Sequence, residues 1–560
     1  MTLAAGGALE SVNLGFTGPG GNVAISADTI TVSGRDVFGG ASRVSSSTVF
    51  AGDGGGLSLS ARSVTVDAGA TVVSQTSGDG RAGDISVNAG SFNLMAGSSI
   101  GSHNAASALP GGNVTMAVTG PVLISGAGST TSPTGIFTSS SGTTPIGDPT
   151  PAGRITLDVG SLDLRSQAVI QSGDVTAQGG GITVTAHGPV SITDRAGISS
   201  QTFRQDVGSV TLSAPTVVID GGFINSSTLE TGRAGAIVLN VGSLLLSGGG
   251  QIASSSVLLA SGPAGQVDVT ASESITIAGA SPTGESVLPA PFGGFVNDAR
   301  SGIFSTTANT GSGGNITLRA PQIRLADGGT ISASSTGGPT ATAGNIHITF
   351  GEQFVLDHAS ISTDSLQADG GNITIVSTGS LLHLIDSQIT TSVRSGVGGG
   401  GNITLGTSGH PLQFIVLDNG GIHADAFGGP GGNINIFADV MLSSTPIDTA
   451  VTASSALSAP GTVNITAVVT DVSEALATLS TEVLQAAALL RASCASRLAE
   501  GKTSSLVVAG REGVPLEPGG LMPSGFMEPR RAAAAGRAAS FLADEWPRLR
   551  LSYLDAACGR

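Results

Sequence analysis

GNITIVSTGSLLHLIDSQITTSVRSGVGGG, residues 371–400, contains one complete structural unit. Ile373 and Ile375 alternate with polar residues and predict a first short strand. Leu382 and Leu384 predict a second, Asp386 turns the chain, and Ile389 opens a third. A Ser/Thr-Gly stretch then leads back to the next Gly-Gly-Asn. Residues 314–343 repeat the scheme with Ile316 and Leu318, Ile323 and Leu325, Asp327 and Ile331. Three strands and three corners per unit predict a triangular coil. Its inward residues would stack on their counterparts about 4.8 Å above and below.

The opening group returns along the chain: GGNVAI at 20–25, GGNVTM at 111–116, GGNITL at 313–318 and 400–405, GGNITI at 370–375 and GGNINI at 431–436. Looser copies include GGGLSL at 54–59, AGRITL at 152–157 and AGNIHI at 343–348. Neighbouring copies mostly lie 27–31 residues apart, as from 343 to 370 and from 400 to 431. A unit this short cannot bury a core alone and must stack on its neighbours. The expected fold class is all-β, a right-handed parallel β-helix solenoid over residues 1–470. About fifteen coils at that rise make a rod of roughly 70 Å. A small helical C-terminal segment, 471–500, is predicted to cap it, with Leu476, Leu479, Val483, Leu490 and Leu498 on one apolar stripe. Residues 501–560 read as a Pro/Gly/Ala-rich tail.

Composition narrows the function classes. Glycine supplies 86 of 560 residues, aromatics 3% and charged residues 11%, yet no apolar run reaches the roughly 18 residues of a spanning helix. The formal charge is −16 with one lysine, Lys502, which argues against a nucleic-acid partner. The opening MTLAAGGALESVNLGF has neither the basic start nor the apolar run of a signal peptide.

At the corners, glycine offers positive φ or close backbone approach. Asn22, Asn113, Asn315, Asn345, Asn372, Asn402 and Asn433 share one corner position, where stacked amides are expected to bond along the rod in a structural ladder. The repeat lengthens near 124–151 and 280–304, and extra residues in a solenoid leave as loops that often bind. Each long repeat contains a Gly-Ile-Phe step, Gly135-Ile136-Phe137 and Gly302-Ile303-Phe304, expected to re-enter the core.

Parallel β-helices also host sugar-cleaving enzymes, which makes the acidic corner a candidate site. Asp67, Asp194, Asp220, Asp327, Asp357, Asp386 and Asp418 precede the third strand, and Asp357, Asp386 and Asp418 would stack in consecutive coils. Such stepping approaches the carboxylate separations of glycosidases, about 5–9.5 Å. His347, His358, His383 and His423 lie nearby without metal-ligand spacing. Aspartate is a turn residue in its own right, it recurs in coil after coil, and few basic residues accompany it (Arg394 is the nearest). The expectation is no enzyme and no cofactor. Hard carboxylate oxygens would suit Ca²⁺, although the glycine-aspartate nonapeptide that binds calcium is missing.

Together the stacked GGN-I-x-I coils, the Gly-Ile-Phe steps and SSLVVAGREGVPLEPGG at 504–520 resemble the filamentous-haemagglutinin-like exoproteins of two-partner secretion. Ser504, Ser505, Gly510, Arg511, Gly513, Pro515 and Pro518 match that family's C-terminal element, while Leu506, Glu512 and Val514 depart from it. The resemblance implies an adhesin or filament on the outer membrane or secreted, attaching to a host or neighbouring-cell surface or glycan. It also implies passage through an outer-membrane secretion pore. The family's N-terminal secretion domain is not seen here, so the chain reads as the C-terminal part of a longer exoprotein. A structural S-layer or biofilm matrix protein is the alternative, and a polysaccharide-degrading enzyme a more distant one. Some relatives close their C-terminus with a disulfide. Cys494 and Cys558 would pair in an oxidising compartment or remain two free thiols, and both readings stand.

Overall fold

The strands pair as parallel neighbours throughout. A computed structural model describes residues 1–471 apart from 16, 106–108, 127–132, 141–150, 174–177, 203–204, 258–260, 289–298 and 378–379. The expected helical cap, the tail, Cys494 and Cys558 lie outside the described residues. The described chain is a β-solenoid of about 15 turns, built from a 20-stranded and a 15-stranded parallel sheet. No helix among the described residues is long and apolar enough to cross a membrane.

The short-strand sheet shows how the sequence specifies the stack. Leu9, Val44, Val72, Ile100, Ile136 and Ile170 pair in turn, and the column runs on in register through Ile303, Ile331 and Ile361 to Val451. From Val44 to Ile422 every member is completely buried, whereas Leu9, at the uncovered end, is 37% exposed. Alternation sets this, because one residue in two points inward along a strand. Burying each such side chain contributes about 1.5–3 kcal/mol.

Coil 371–400 has the three expected strands, Ile373–Ser377, Leu381–Ile385 and Gln388–Thr390. Coil 314–343 differs. Its first two strands run together as Ile316–Ala326, as they do in Leu57–Asp67, Ile85–Met95 and Val210–Asp220. The first expected corner thus lies within one continuous strand of the 20-stranded sheet. Extended backbone carries the chain around it, and register offsets such as those at Ala320/Gln322 and Val241/Ser243 absorb the difference in length.

The corner before the third strand is a tight left-handed turn. Asp327 and Gly328 have φ of 51° and 91°, and Asp194 and Arg195 have 55° and 61°. The Gly-Gly corner works by another means. Its second glycines, such as Gly344, Gly371, Gly401 and Gly432, do not adopt positive φ. A Cβ on Gly371 would overlap the carbonyl oxygen of Gly344, one on Gly401 that of Gly371, and one on Gly432 that of Gly401. The same close stacking runs from Gly55 on Gly21 to Gly461 on Gly432, a seam of bare backbone. Close approach, not left-handed geometry, demands these glycines.

Hydroxyls of the Ser/Thr-rich third strand and the stretch after it also point inward. Ser74 donates to the carbonyl of Gly55 at 3.0 Å, Ser102 to Gly83 at 2.9 Å, Ser254 to Gly235 at 2.6 Å and Thr363 to Gly371 at 2.8 Å. All four side chains are fully buried. They satisfy the carbonyls of the glycine seam, which would otherwise be buried without partners. An aliphatic residue there would strand those oxygens, which explains hydroxyls in an otherwise aliphatic core.

Candidate functional site

Two outward corners carry the polar residues singled out in the sequence. At the Gly-Gly-Asn corner, the N–H and Nδ2 of Asn345 both donate to Oδ1 of Asn315, each at 3.0 Å. Asn372 does the same to Asn345 at 2.9 and 3.1 Å, and Asn402 to Asn372 at 3.0 Å twice. The N–H of Asn433 donates to Asn402 at 3.0 Å, and Thr462 ends the run on Asn433 through its N–H and Oγ1. Five of the seven asparagines thus form one continuous ladder. The other two stand apart. Asn22 accepts from the N–H of Gly56, while Asn113 donates to Asp84 and accepts from the N–H of Arg154. Asp84 and Thr462 do ladder work that the asparagine pattern misses; the looser copy AGDISV at 82–87 already puts a carboxylate at that place.

The acidic corner is not the expected single stack. Asp357 pairs in register with Ile385, and Asp418 pairs with Ile385 from the other side. Asp386 lies one residue further along, in the left-handed turn, with φ of 45°. Asp67, Asp220, Asp357 and Asp418 end the second strand, whereas Asp194, Asp327 and Asp386 sit within the turn. The stagger puts Asp386 out of register with Asp357 and Asp418. It assembles a different group: Arg324 Nη2 lies 3.0 Å from Asp357 Oδ2, His358 Nδ1 lies 2.9 Å from Asp357 Oδ1, and His358 Nε2 lies 3.5 Å from Asp386 Oδ2. Asn419 donates to the other oxygen of Asp386 at 2.7 Å.

The hydrogen bond from His358, then that from Arg324, holds the Asp357 carboxyl below its ordinary range. The same hydrogen bond to Asp357, aided by the charge of Asp386, raises the His358 imidazole above its ordinary 6.5. A raised histidine stabilises the fold fully below about pH 6.5, and that contribution disappears as pH rises through the folded-state value. Asp357 behaves oppositely, contributing above its ordinary 3.8 and losing the contribution as pH falls through its lowered value. In a titration followed by NMR, His358 is expected to show a midpoint above 6.5, and Asp386→Asn is expected to bring it down. An unmoved midpoint in that variant would show that Asp386 exerts no field there.

The remaining histidines disperse over the coil. His347 lies on the first face in register with Thr317 and Thr374, and burial, then Arg319, lowers its pKa. His383 lies on the second face between Val355 and Val416, and His423 lies on the third, bonded to Thr452 Oγ1 at 2.8 Å. Among the described residues no three His, Cys, Asp or Glu side chains converge as metal ligands.

The second long repeat folds onto the outside of the solenoid. Val287 and Leu288 are buried against Phe223, Ala253 and Phe304, forming a small apolar cluster separate from the core. The Gly-Ile-Phe steps therefore divide. Ile136 and Ile303 enter the core, but Phe304 packs outward beneath the insertion and Phe137 is half-buried on the outer face. Strand alternation requires this, with glycine and phenylalanine on the same side. A Cβ on Gly302 would come within 2.7 Å of the Phe304 ring, so the glycine makes room for it. Beside the insertion lies a cleft of about 240 Å³ lined by Asp194, Arg195, Asp220, Ser281, Pro282, Thr283 and Val287. Parts of both insertions, 127–132, 141–150 and 289–298, lie outside the described residues.

Comparison with protein-family models, curated proteins and solved structures finds no match to this chain. Any reading of its role therefore rests on its own geometry and on the sequence resemblance.

Proposed function

We propose that the chain serves as a non-catalytic, surface-exposed or secreted exoprotein of the filamentous-haemagglutinin type. In this reading it attaches to a neighbouring cell or glycan surface through the outward corners of its solenoid. The observation that carries it is the division of labour within the coil. Inward columns repeat the same aliphatics and hydroxyls, while the outward side adds residues particular to one coil, such as Val37 and Phe38, to its recurring asparagines and aspartates. A stiff array of such corners attaches by many weak contacts, which sum to firm adhesion without any one deep site.

One corner illustrates the display. Val37 and Phe38 are 93% and 94% exposed, at the tip of a turn that Asp36 fixes by accepting from the N–H groups of Phe38 and Gly40. Arg35 braces the same turn through the Gly39 carbonyl at 2.9 Å. An ordered turn loses little entropy when it docks. The test has two parts. Antibody to residues 311–440 should label intact, unpermeabilised cells, and beads coated with the full chain should adhere to those cells and be displaced by soluble full chain. Labelling confined to permeabilised cells, together with beads that do not adhere, would end this reading.

A further inference from the structure

The corner ladder lapses from Gly181 to Asn315, and the end of that stretch lies over a groove. From Asn345 to Thr462 each corner N–H donates to the side-chain oxygen one coil earlier. Ile237, Val267 and Ile316 pair in register, so the residues before them, Ala236, Gln266 and Asn315, occupy the same ladder position. Ala236 has no oxygen to offer the N–H of Gln266. Gln266 turns its amide to Asp268, at 2.7 Å, and leaves the N–H of Asn315 without its acceptor. Neither N–H has a protein acceptor among the described residues.

These two N–H groups belong to a groove of about 470 Å³ whose floor is the bare seam of Gly265 and Gly314. Arg233 stands on its wall. Its backbone N–H is held by Asp206 at 2.8 Å, yet its guanidinium has no acidic partner among the described residues. The acid next to the groove in sequence, Asp268, is engaged by Gln266. Unfilled main-chain N–H groups lining a concavity favour anions, and a free guanidinium adds charge and a planar fork of donors. Among the described residues the corner N–H groups of Gly181, Ser209 and Ala236 also lack a side-chain acceptor one coil earlier, but only at Gln266 and Asn315 does this coincide with a groove that Arg233 lines.

We propose that this groove is an oxyanion site, taking a carboxylate, sulfate or phosphate group on the N–H groups of Gln266 and Asn315 and the guanidinium of Arg233. The site does not depend on the attachment reading above. The test is isothermal titration calorimetry of the full chain with sodium glucuronate, sulfate and phosphate in turn, at low ionic strength, where exposed charges are least screened. One or more of the three should bind saturably at a single site, and the strongest identifies the class of anion. Arg233→Ala should weaken binding at least tenfold. Ala236→Asn restores the missing ladder oxygen to the N–H of Gln266; it should abolish binding and raise the unfolding midpoint, so loss of affinity cannot be blamed on misfolding. Absence of saturable binding for all three anions, or unchanged affinity in Ala236→Asn, would overturn the site.

Discussion

Gly371→Ala is expected to destabilise the solenoid by about 4 kcal/mol or more, a loss reserved for changes that the fold cannot absorb. The new methyl group would overlap the carbonyl oxygen of Gly344 and crowd Thr363 Cβ at 3.1 Å. Neither neighbour can retreat easily. Gly344 is stacked just as tightly on Gly314, and Thr363 is buried with its hydroxyl bonded to Gly371 itself. Any shift that accommodates one methyl must therefore pass along the seam. Gly338→Ala is the matched control, because a Cβ there meets nothing within 4 Å and the residue does not use positive φ. That substitution should stay within about 0.5 kcal/mol of the parent protein. Urea unfolding followed by far-UV circular dichroism compares the two, and equal midpoints would refute the role assigned to the seam.

The second large effect is expected of Ile331→Asp. Ile331 is completely buried between Ile303 and Ile361 in the short-strand sheet. The change forfeits about 1.5–3 kcal/mol of apolar burial and adds the desolvation of an unpaired carboxylate, several kcal/mol more. A solenoid coil contacts only its neighbours, so the damage should stay near the substitution. Limited proteolysis of the full chain should cut newly close to residue 331, leaving resistant fragments on both sides. Simultaneous loss of resistance along the whole solenoid would contradict this picture of local cooperativity.

Most of the architecture was legible because its signals are periodic. Ile373, Ile375, Leu382, Leu384 and Ile389 mark a coil's interior by alternation alone, and all five are buried as read. What stayed hidden depended on contacts between coils. The sequence left the corner glycines two reasons, positive φ or close backbone approach, and only the neighbouring carbonyl selects the second for the seam. The inward hydroxyls of Ser74 and Thr363 carry no sequence signal of their own, because the need for them lies in carbonyls of the glycine seam. The stagger of the aspartates could have been counted from the core, since Asp357 follows inward Leu356 by one residue and Asp386 follows inward Leu384 by two. Aligning the acids on one another concealed that difference. The groove at Ala236 and Gln266 was invisible for a related reason: its donors are main-chain atoms, and only the register shows which side chains fail to cover them.

The glycine seam also bears on how such a chain can change over generations. Nothing along it distinguishes one coil from the next, because each step is backbone resting on backbone. Excising residues 344–370 would join Ala343 to Gly371, and Gly371 would then take the place of Gly344 above Gly314. Both new neighbours would meet the surface they met before. Recombination between repeats can thus lengthen or shorten the molecule by whole coils, in increments of about 4.8 Å, while drift at the outward corners alters what it touches. The number of coils and the residues at the outward corners are thus free to change separately.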